Sequence, residues 1–197
     1  MDRIIFATEN AGKIREVKAI LADVDVEVLS LREAGLHTDV VEDGDSFEAN
    51  AVLKAKAVKG DAHTIVMADD SGLEVDALGG EPGIYSARYM GEDTSYRMKN
   101  QAIIDRLAGK TGAERSARFV CAIAAVLPDG AVLTSRGTIE GEIGYEERGE
   151  GGFGYDPIFM VPELGRSTAE LTAEEKNVIS HRGRALADMK EKLRGLL

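Results

Sequence analysis

The stretch TIVMADDSGLEVDAL, residues 64–78, decides the fold class of this 197-residue chain. Its first five residues are almost entirely apolar, which predicts a short buried β-strand over residues 64–68. The polar residues 69–72 follow, and residues 73–78 continue as extended chain. Carboxylates at the end of a central strand lie where ligand clefts form in α/β proteins. The pattern therefore predicts both a central strand and a functional site beside it.

Strand-like and helix-like segments alternate on either side of this stretch. Short apolar runs predict strands at residues 3–7, 26–29 and 157–161, and apolar residues at helical spacing predict helices at residues 12–22 and 94–107. Because strands alternate with helices, the chain is expected to be an α/β protein with a mixed sheet.

Four further elements carry local signals. Residues 118–127 and 131–141 are β-rich runs joined by Pro-Asp-Gly, which predicts a hairpin. Capping boxes predict two helix starts: Asp45 with Glu48, for a helix that ends near Lys59, and Thr172 with Glu175. A last amphipathic helix is predicted over residues 180–196.

Composition limits the classes of protein that remain. The length suits one domain, residues 1–197, and 44% hydrophobic residues exclude wholesale disorder. A net charge of −11 argues against a nucleic-acid polymer as partner, although a free nucleotide remains compatible. The single cysteine, Cys121, lies in an apolar run and is expected to be buried. With no signal peptide or membrane-spanning stretch visible, we expect a cytoplasmic protein that binds no membrane.

The turn after the first strand is a candidate phosphate site. A helix N-terminus offers free N–H groups and a partial positive charge, and Asn10 can cap this one. Lys13 can add a point charge. The motif fits neither of the common glycine-rich phosphate loops, so a plain helix cap with a solvated lysine is the alternative. The residues concerned are Thr8, Glu9, Asn10, Ala11, Gly12 and Lys13.

Acidic residues form the second group of candidates. Asp69 and Asp70 are adjacent, so their side chains should point to opposite faces of the strand. Two such carboxylates favour a metal ion or a strong hydrogen-bond network. Glu42 can supply a second metal carboxylate, and a solvated acidic loop is the alternative for it. Asp45, in contrast, is accounted for as a helix cap.

The remaining candidates are basic or aromatic. Lys54 lies on a helix of small residues, where a solvated lysine is the plain alternative. Phe153 and Tyr155, in a glycine-rich loop, can stack on a ring or fill the core. Arg182 falls on the apolar face of the last helix, where it needs a partner, either a carboxylate in an ion pair or a ligand.

These pieces occur together in one known pattern. They are TENAGKIREV (8–17), FEANAVLKAKA (47–57), ADDSGLEVDALGGEPGIYSARY (68–89), GFGYDPIF (152–159) and ELTAEEKNVISHRGRAL (170–186). In this order, they resemble the inosine triphosphatase-type pyrophosphatases, which cleave non-standard purine nucleoside triphosphates. The one departure is Glu9, where that family more commonly has glycine.

The resemblance implies an elongated two-lobed α/β fold around a long mixed sheet flanked by helices, with the active-site cleft between the lobes. It also implies a homodimer that uses Mg²⁺, with Mn²⁺ also compatible, and converts ITP, dITP and XTP to the monophosphate and pyrophosphate. This activity removes deaminated purines from the nucleotide pool.

The resemblance further assigns roles to residues. Asp70 is the proton acceptor and Lys54 a catalytic cation, while Glu42 and Asp70 bind the metal, with Asp69 as a further candidate ligand. The residues assigned to substrate are Thr8, Glu9, Asn10, Ala11, Gly12, Lys13, Ser71, Phe153, Gly154, Tyr155, Asp156, Lys176, His181 and Arg182.

Three other readings compete with this one. A Maf-type nucleotide pyrophosphatase is the nearest, and the Ser-His-Arg and Phe-Gly-Tyr-Asp motifs argue against it. A non-catalytic nucleotide-binding protein would not need both Glu42 and Asp70. A phosphomonoesterase would release orthophosphate, so the identity of the product separates it from a pyrophosphatase.

Overall fold

The structure, a computed structural model, describes residues 3–58, 60–194 and 196, and it confirms the predicted α/β class. The strands are β1 (Arg3–Phe6), β2 (Glu27–Ser30), β3 (Thr64–Val75), β4 (Ser116–Val126), β5 (Val132–Ile143), β6 (Phe159–Val161) and β7 (Arg166–Ser167). The helices are α1 (Ala11–Ile20), α2 (Phe47–Ala57), α3 (Tyr96–Arg106), α4 (Ala173–Ile179) and α5 (His181–Leu193). Lys59, the predicted end of the second helix, lies outside the described residues.

The sheet is mixed, as the sequence predicts. Its strand order is β2-β1-β3-β4-β5-β6-β7. β1 pairs in parallel with both β2 and β3, whereas β6 pairs antiparallel with β5 and with β7. The parallel part follows from helical crossovers, because parallel neighbours need a long connection between them. Within the described residues, no helix is long and apolar enough to cross a membrane.

The chain divides into two compact units, each with its own core. The first comprises the described residues within Met1–Asp70, Cys121–Gly137 and His181–Leu197, and the second comprises Ser71–Val120 and Thr138–Ser180. In the first unit, buried residues of β1, β3 and β4 pack with the apolar face of α5, and Cys121 is buried among them as expected. In the second, the core includes buried residues of α3, β5 and β6.

Two local predictions are confirmed at the ends of helices. Asn10 caps α1, and the Thr172–Glu175 capping box starts α4. The prediction for α2 is wrong by one residue, since its N-cap is Ser46 and not Asp45. The Ser46 hydroxyl accepts a hydrogen bond from the Ala49 amide, so the position next to the predicted cap satisfies one of the free donors of the first turn.

The central strand also differs from its prediction. The predicted strand over residues 64–68 is too short, since β3 continues through residues 69–72 and spans 12 residues. Asp69 and Asp70 are therefore buried in the middle of a strand rather than placed at its end. Their polarity indicated the end of the strand, and the partners described below stabilise them inside it.

The first unit contains a close approach of strand and helix backbones at Gly137. A Cβ atom at this position would meet the His181 carbonyl oxygen, the Ala185 amide nitrogen and the Arg184 Cβ at the start of α5. Two of these atoms belong to backbone, which cannot move aside as a flexible side chain can. Glycine is therefore needed here for space.

We predict that Gly137→Ala lowers the free energy of unfolding by about 2 kcal/mol, because overpacking against backbone forces the helix away from the strand. Urea unfolding followed by circular dichroism measures this change. Gly35→Ala is the control: its φ is +68° but nothing lies near the new methyl group, so the cost is backbone strain alone. An equal or smaller loss for Gly137→Ala than for the control would contradict the crowding argument.

Candidate active site

The turn between β1 and α1 is ordered by its own polar side chains. Asn10 Oδ1 accepts hydrogen bonds from the amides of Gly12 (2.8 Å) and Lys13 (3.1 Å), and Thr8 Oγ1 accepts one from the Asn10 amide (3.2 Å). Ala11 begins the helix directly after the cap. The turn therefore presents a capped helix N-terminus, which favours negative charge.

Lys13 is not a solvated lysine. Its Nζ lies 3.1 Å from Oδ1 and 3.0 Å from Oδ2 of Asp69, and its side chain is largely buried. The pair links the start of α1 to the middle of β3. Of the two alternatives that the sequence left open at this turn, the structure favours a lysine held in place over a plain cap with a lysine in water.

Asp70 faces a different set of partners, as expected for the neighbour of Asp69 on a strand. Its Oδ1 lies 3.0 Å from Lys54 Nζ, and its Oδ2 accepts a hydrogen bond from Asn50 Nδ2 (3.2 Å). Glu42 completes the group, with its carboxylate 3.4 Å from the same Lys54 nitrogen. Lys54 therefore joins the two carboxylates that were predicted to bind a metal ion.

Burial and charge act on the pKa values of this group in opposite directions. Burial raises the pKa of Asp70 above its ordinary value, against the opposing charge of Lys54. Burial alone would lower the pKa of Lys54, but the carboxylates of Asp70, Asp69 and Glu42 outweigh it, so the pKa of the ammonium is raised. Lys54 remains a cation, and Asp70 is a stronger base than an exposed aspartate.

Asn50 is a member of this group that the sequence analysis missed. It lies wholly buried in α2, where its Nδ2 donates to Asp70 and its Oδ1 accepts from the Gly44 amide (2.9 Å). One side chain thus connects the loop before α2 to the central strand. An asparagine among alanines in this helix is a signal that could have identified it.

Arg182 lies in the first turn of α5 and is 1% exposed. Its Nη2 and Nε lie 3.2 and 3.4 Å from Asp69 Oδ2, and its Nη1 donates to the carboxylate of Glu16. Burial opposes the charge of this guanidinium, but these carboxylates keep its pKa raised. This geometry is the ion pair that the sequence analysis weighed for Arg182, with Glu16 as a partner that it missed. Glu16 lies one helical turn after Lys13.

The carboxylates around Asp70 suit a divalent cation that takes only one or two ligands from the protein. Within the described residues, no group of three or more His, Cys, Asp and Glu side chains could hold a metal ion by itself. Two carboxylates, Glu42 and Asp70, converge on one ammonium. Mg²⁺ commonly binds through one or two carboxylates and takes its remaining ligands from waters and substrate phosphates. The set therefore fits a cation that arrives with a phosphate substrate.

The second unit contains its own buried charged group, centred on Asp156. Its Oδ2 accepts hydrogen bonds from Lys176 Nζ (2.7 Å) and the Phe153 amide (2.8 Å), and its Oδ1 accepts one from Thr168 Oγ1 (2.8 Å). Lys176 Nζ also lies 4.9 Å from the centre of the Phe153 ring. Glycine is favoured at position 152 because a Cβ atom there would overlap with the Asp156 carboxylate. Thr168, which no local signal marks, was missed by the sequence analysis.

The two aromatic residues of the glycine-rich loop differ in their surroundings. Tyr155 is buried in the core, where its hydroxyl donates to the Ser86 carbonyl (2.6 Å) and its ring meets Tyr96 edge-on at 5.2 Å. Phe153 is only half-buried. Of the two alternatives for this loop, Tyr155 therefore matches core filling, whereas Phe153 is partly exposed.

The predicted site residues are distributed over both units. The first holds Thr8, Glu9, Asn10, Ala11, Gly12, Lys13, Glu42, Lys54, Asp69, Asp70, His181 and Arg182, and the second holds Ser71, Phe153, Gly154, Tyr155, Asp156 and Lys176. Within each unit, the charged members are brought together as described. His181 begins α5 and is buried.

Comparisons with known proteins show the family of this chain. A family model described as the Ham1 family matches residues 4–192. A protein of Clostridium perfringens named dITP/XTP pyrophosphatase is 47% identical over 203 residues, covering 100% of both chains. The solved Ham1 protein of Staphylococcus aureus matches with a TM-score of 0.86 at 43% identity, covering 100% of both chains. A Ham1 protein of Coxiella burnetii matches with a TM-score of 0.87 at 38% identity, covering 99% of this chain and 100% of that one.

We predict that Thr168→Val lowers the free energy of unfolding by about 2 kcal/mol, because the buried Asp156 carboxylate loses one of its three donors while the side-chain shape is kept. Thermal unfolding monitored by circular dichroism measures the loss. Thr134→Val is the matched control, since this threonine is exposed on β5. If both variants unfold at the same temperature, Thr168 does not support the carboxylate.

Proposed function

Because this chain belongs to the Ham1 family, we propose that it is a nucleoside-triphosphate pyrophosphatase that hydrolyses dITP, XTP and ITP to the nucleoside monophosphate and pyrophosphate. The observation that carries the proposal is the cluster of Glu42, Lys54 and the buried Asp70, in the same unit as the Lys13–Asp69 pair. It combines a base, a candidate pair of metal ligands and cations suited to phosphate.

Binding of the triphosphate requires positive charge, because the substrate brings about four negative charges. Lys13, Lys54 and Lys176 can contact phosphate oxygens, and the positive end of the α1 dipole favours their negative charge. Thr8, Asn10 and Ser71 add short polar side chains. These contacts also stabilise the charge that develops on the departing pyrophosphate.

We assign the Glu42 and Asp70 carboxylates to a divalent cation, Mg²⁺ or Mn²⁺, both of which suit oxygen ligands. When bound, the cation would neutralise phosphate charge and lower the pKa of a nearby water. Asp69, with Lys13 and Arg182 as partners, is a weaker candidate for this role. The test of the metal assignment is activity after chelation and after addition of each cation in turn.

Asp70 is the proposed proton acceptor in the hydrolytic step. The oxygen of water forms a bond to the α-phosphorus, the proton passes to the Asp70 carboxylate, and the bond from the α-phosphorus to the bridging oxygen breaks. The pyrophosphate group leaves with that bonding electron pair. Asn50 holds one carboxylate oxygen and Lys54 the other, so the base has a defined orientation before substrate arrives.

Recognition of the purine is assigned to Phe153, Gly154, Tyr155, Asp156, His181 and Arg182. Hypoxanthine and xanthine carry a 6-keto acceptor, whereas adenine carries a 6-amino donor. A donor aimed at this position is left unpaired by adenine, which disfavours ATP in a buried site. The half-buried Phe153 ring offers a stacking surface for the base.

We further propose that both units serve this one reaction as a single functional domain over residues 1–197, and that the protein acts as a homodimer in the cytoplasm. The support is the family, whose model spans nearly the whole chain. We propose the cytoplasm because damaged purine nucleotides are removed where nucleotides are made and used.

We predict that the purified protein with Mg²⁺ releases pyrophosphate from dITP and XTP, with little from ATP or GTP, and that Asp70→Asn lowers kcat at least 100-fold because the proton acceptor is lost. The assay scores pyrophosphate and orthophosphate separately. The control is Asp129→Asn, an exposed aspartate in the β4–β5 turn, which should retain full activity.

Three results would contradict this proposal. Release of orthophosphate indicates a phosphomonoesterase. Tight binding of XTP without turnover indicates a binding protein. Near-normal turnover by Asp70→Asn excludes that residue as the base.

We predict that Arg182→Ala lowers kcat/KM for ITP more than for ATP, by about tenfold in their ratio, because a donor to the 6-keto group is lost. Steady-state kinetics on both nucleotides measure the ratio. If Arg182 serves only in the ion pairs with Asp69 and Glu16, kcat/KM instead falls equally for both nucleotides, and the ratio does not change.

A further inference from the structure

The carboxylate of Glu9 lies at an unfavourable place for an enzyme that binds a polyanion. Glu9 immediately precedes Asn10, the cap of α1, and its side chain is exposed. An acidic residue stabilises a helix N-terminus by itself, since the macrodipole is positive there. The same charge repels a triphosphate that approaches the same turn. Stability of the helix and affinity for substrate therefore place opposite demands on this side chain.

His37 provides a partner for that carboxylate. Its Nδ1 lies 2.9 Å from Glu9 Oε1, and its Nε2 lies 3.1 Å from Asp39 Oδ1. A neutral imidazole can donate from only one of its two nitrogens, whereas the imidazolium donates from both. An arrangement with a carboxylate at each ring nitrogen therefore fits the protonated form.

The charges around His37 support the same assignment. The hydrogen bond to Glu9 and the charge of Asp39 raise the pKa of His37 above 6.5. These two carboxylates, one from the turn before α1 and one from the loop of His37 itself, are the charged groups that act on the ring. Both favour the imidazolium. His37 thus carries a positive charge at pH 6 and loses it as the pH rises through its raised pKa.

We propose that His37 is a positioning residue for substrate binding: its imidazolium neutralises Glu9 and holds that carboxylate toward the 37–39 loop, so that the start of α1 accepts a triphosphate. When His37 is neutral, the Glu9 charge is no longer compensated and affinity for the triphosphate falls. The inference rests on the proposed function, because it assumes that phosphate binds at this turn.

The test is a double-mutant cycle with Glu9→Gln, His37→Gln and the double variant, in which KM for XTP is measured from pH 6 to pH 9. All values are divided by those of the double variant at the same pH, which is neutral at both positions, so that ionisation of the substrate cancels. Both side chains are exposed, so the variants should fold. Glu33→Gln is the matched control, since Glu33 is an exposed acid paired with Lys18 of α1.

We expect this ratio for the unaltered chain to rise from about 1 at pH 6 to about 5 at pH 9, from repulsion of the substrate by one partly screened charge. It should be about 5 at every pH for His37→Gln, and for Glu9→Gln it should lie below 1 at pH 6 and reach about 1 at pH 9, because this variant keeps the imidazolium without the carboxylate. Glu33→Gln should follow the unaltered chain. A ratio for the unaltered chain that does not change with pH, or that changes equally in His37→Gln, would overturn the proposal.

A second probe separates this inference from the proposed function. Inorganic tripolyphosphate has no base and needs no turnover, so its Kd is measured by calorimetry on the same four proteins. If the protein does not hydrolyse dITP or XTP but the Kd values follow the expected pattern, the proposed function fails and the inference stands. If XTP is hydrolysed but the pattern is absent, the inference fails alone. Absence of tripolyphosphate binding together with absence of turnover overturns both.

Discussion

The first unit depends on two adjacent carboxylates buried in the middle of a strand. Asp69 and Asp70 would each be costly to remove from water if they lacked a cation. Because neighbouring residues of a strand point to opposite faces, each carboxylate pairs with cations of its own. These are Lys13 and Arg182 at Asp69 and Lys54 at Asp70. The pairs connect α1, α2 and α5 to β3.

These ion pairs are better explained by the proposed reaction than by their contribution to the free energy of unfolding. A buried ion pair often contributes less to folding than well-packed apolar residues of the same volume, because desolvation offsets the attraction. A chain selected for stability alone would have little reason to place Glu42, Lys54 and Asp70 together. The proposed hydrolysis needs a base, cations and metal ligands at fixed distances, which these residues would provide. Asp156 in the second unit follows the same principle, with Lys176, Thr168 and the Phe153 amide as its donors.

At the turn before α1, compensation of the Glu9 charge affects both the stability of the helix and the proposed binding of substrate. The carboxylate of Glu9 benefits the helix and opposes a polyanion, and His37 offsets it only while protonated. Lys13 is similarly shared, since its ammonium pairs with Asp69 and is also suited to phosphate. The cations of this unit therefore already have protein partners, and a triphosphate must compete for them. A divalent cation bound to the carboxylates would neutralise them, and the triphosphate would then compete more easily for the lysines.

Much of this protein is determined by local sequence. Hydrophobic periodicity predicted the α/β class and most of the helices and strands, and the caps at Asn10 and Thr172 lie where their side chains indicated. The joint motifs indicated the family and the residues carrying charge. These features depend on interactions within a few residues along the chain, which a single sequence displays directly.

The tertiary structure decided the rest. It extended β3 through Asp69 and Asp70, where the sequence predicted the end of the strand, because the cations that stabilise these carboxylates come from α1, α2 and α5. It also determined three pairs of side chains that are distant in sequence. These are Asn50 with Asp70, Glu16 with Arg182, and Thr168 with Asp156. Glu16 and Arg182, for example, are 166 residues apart in the chain. The free energy of a buried charge depends on the groups that surround it in space, and only folding determines which groups those are.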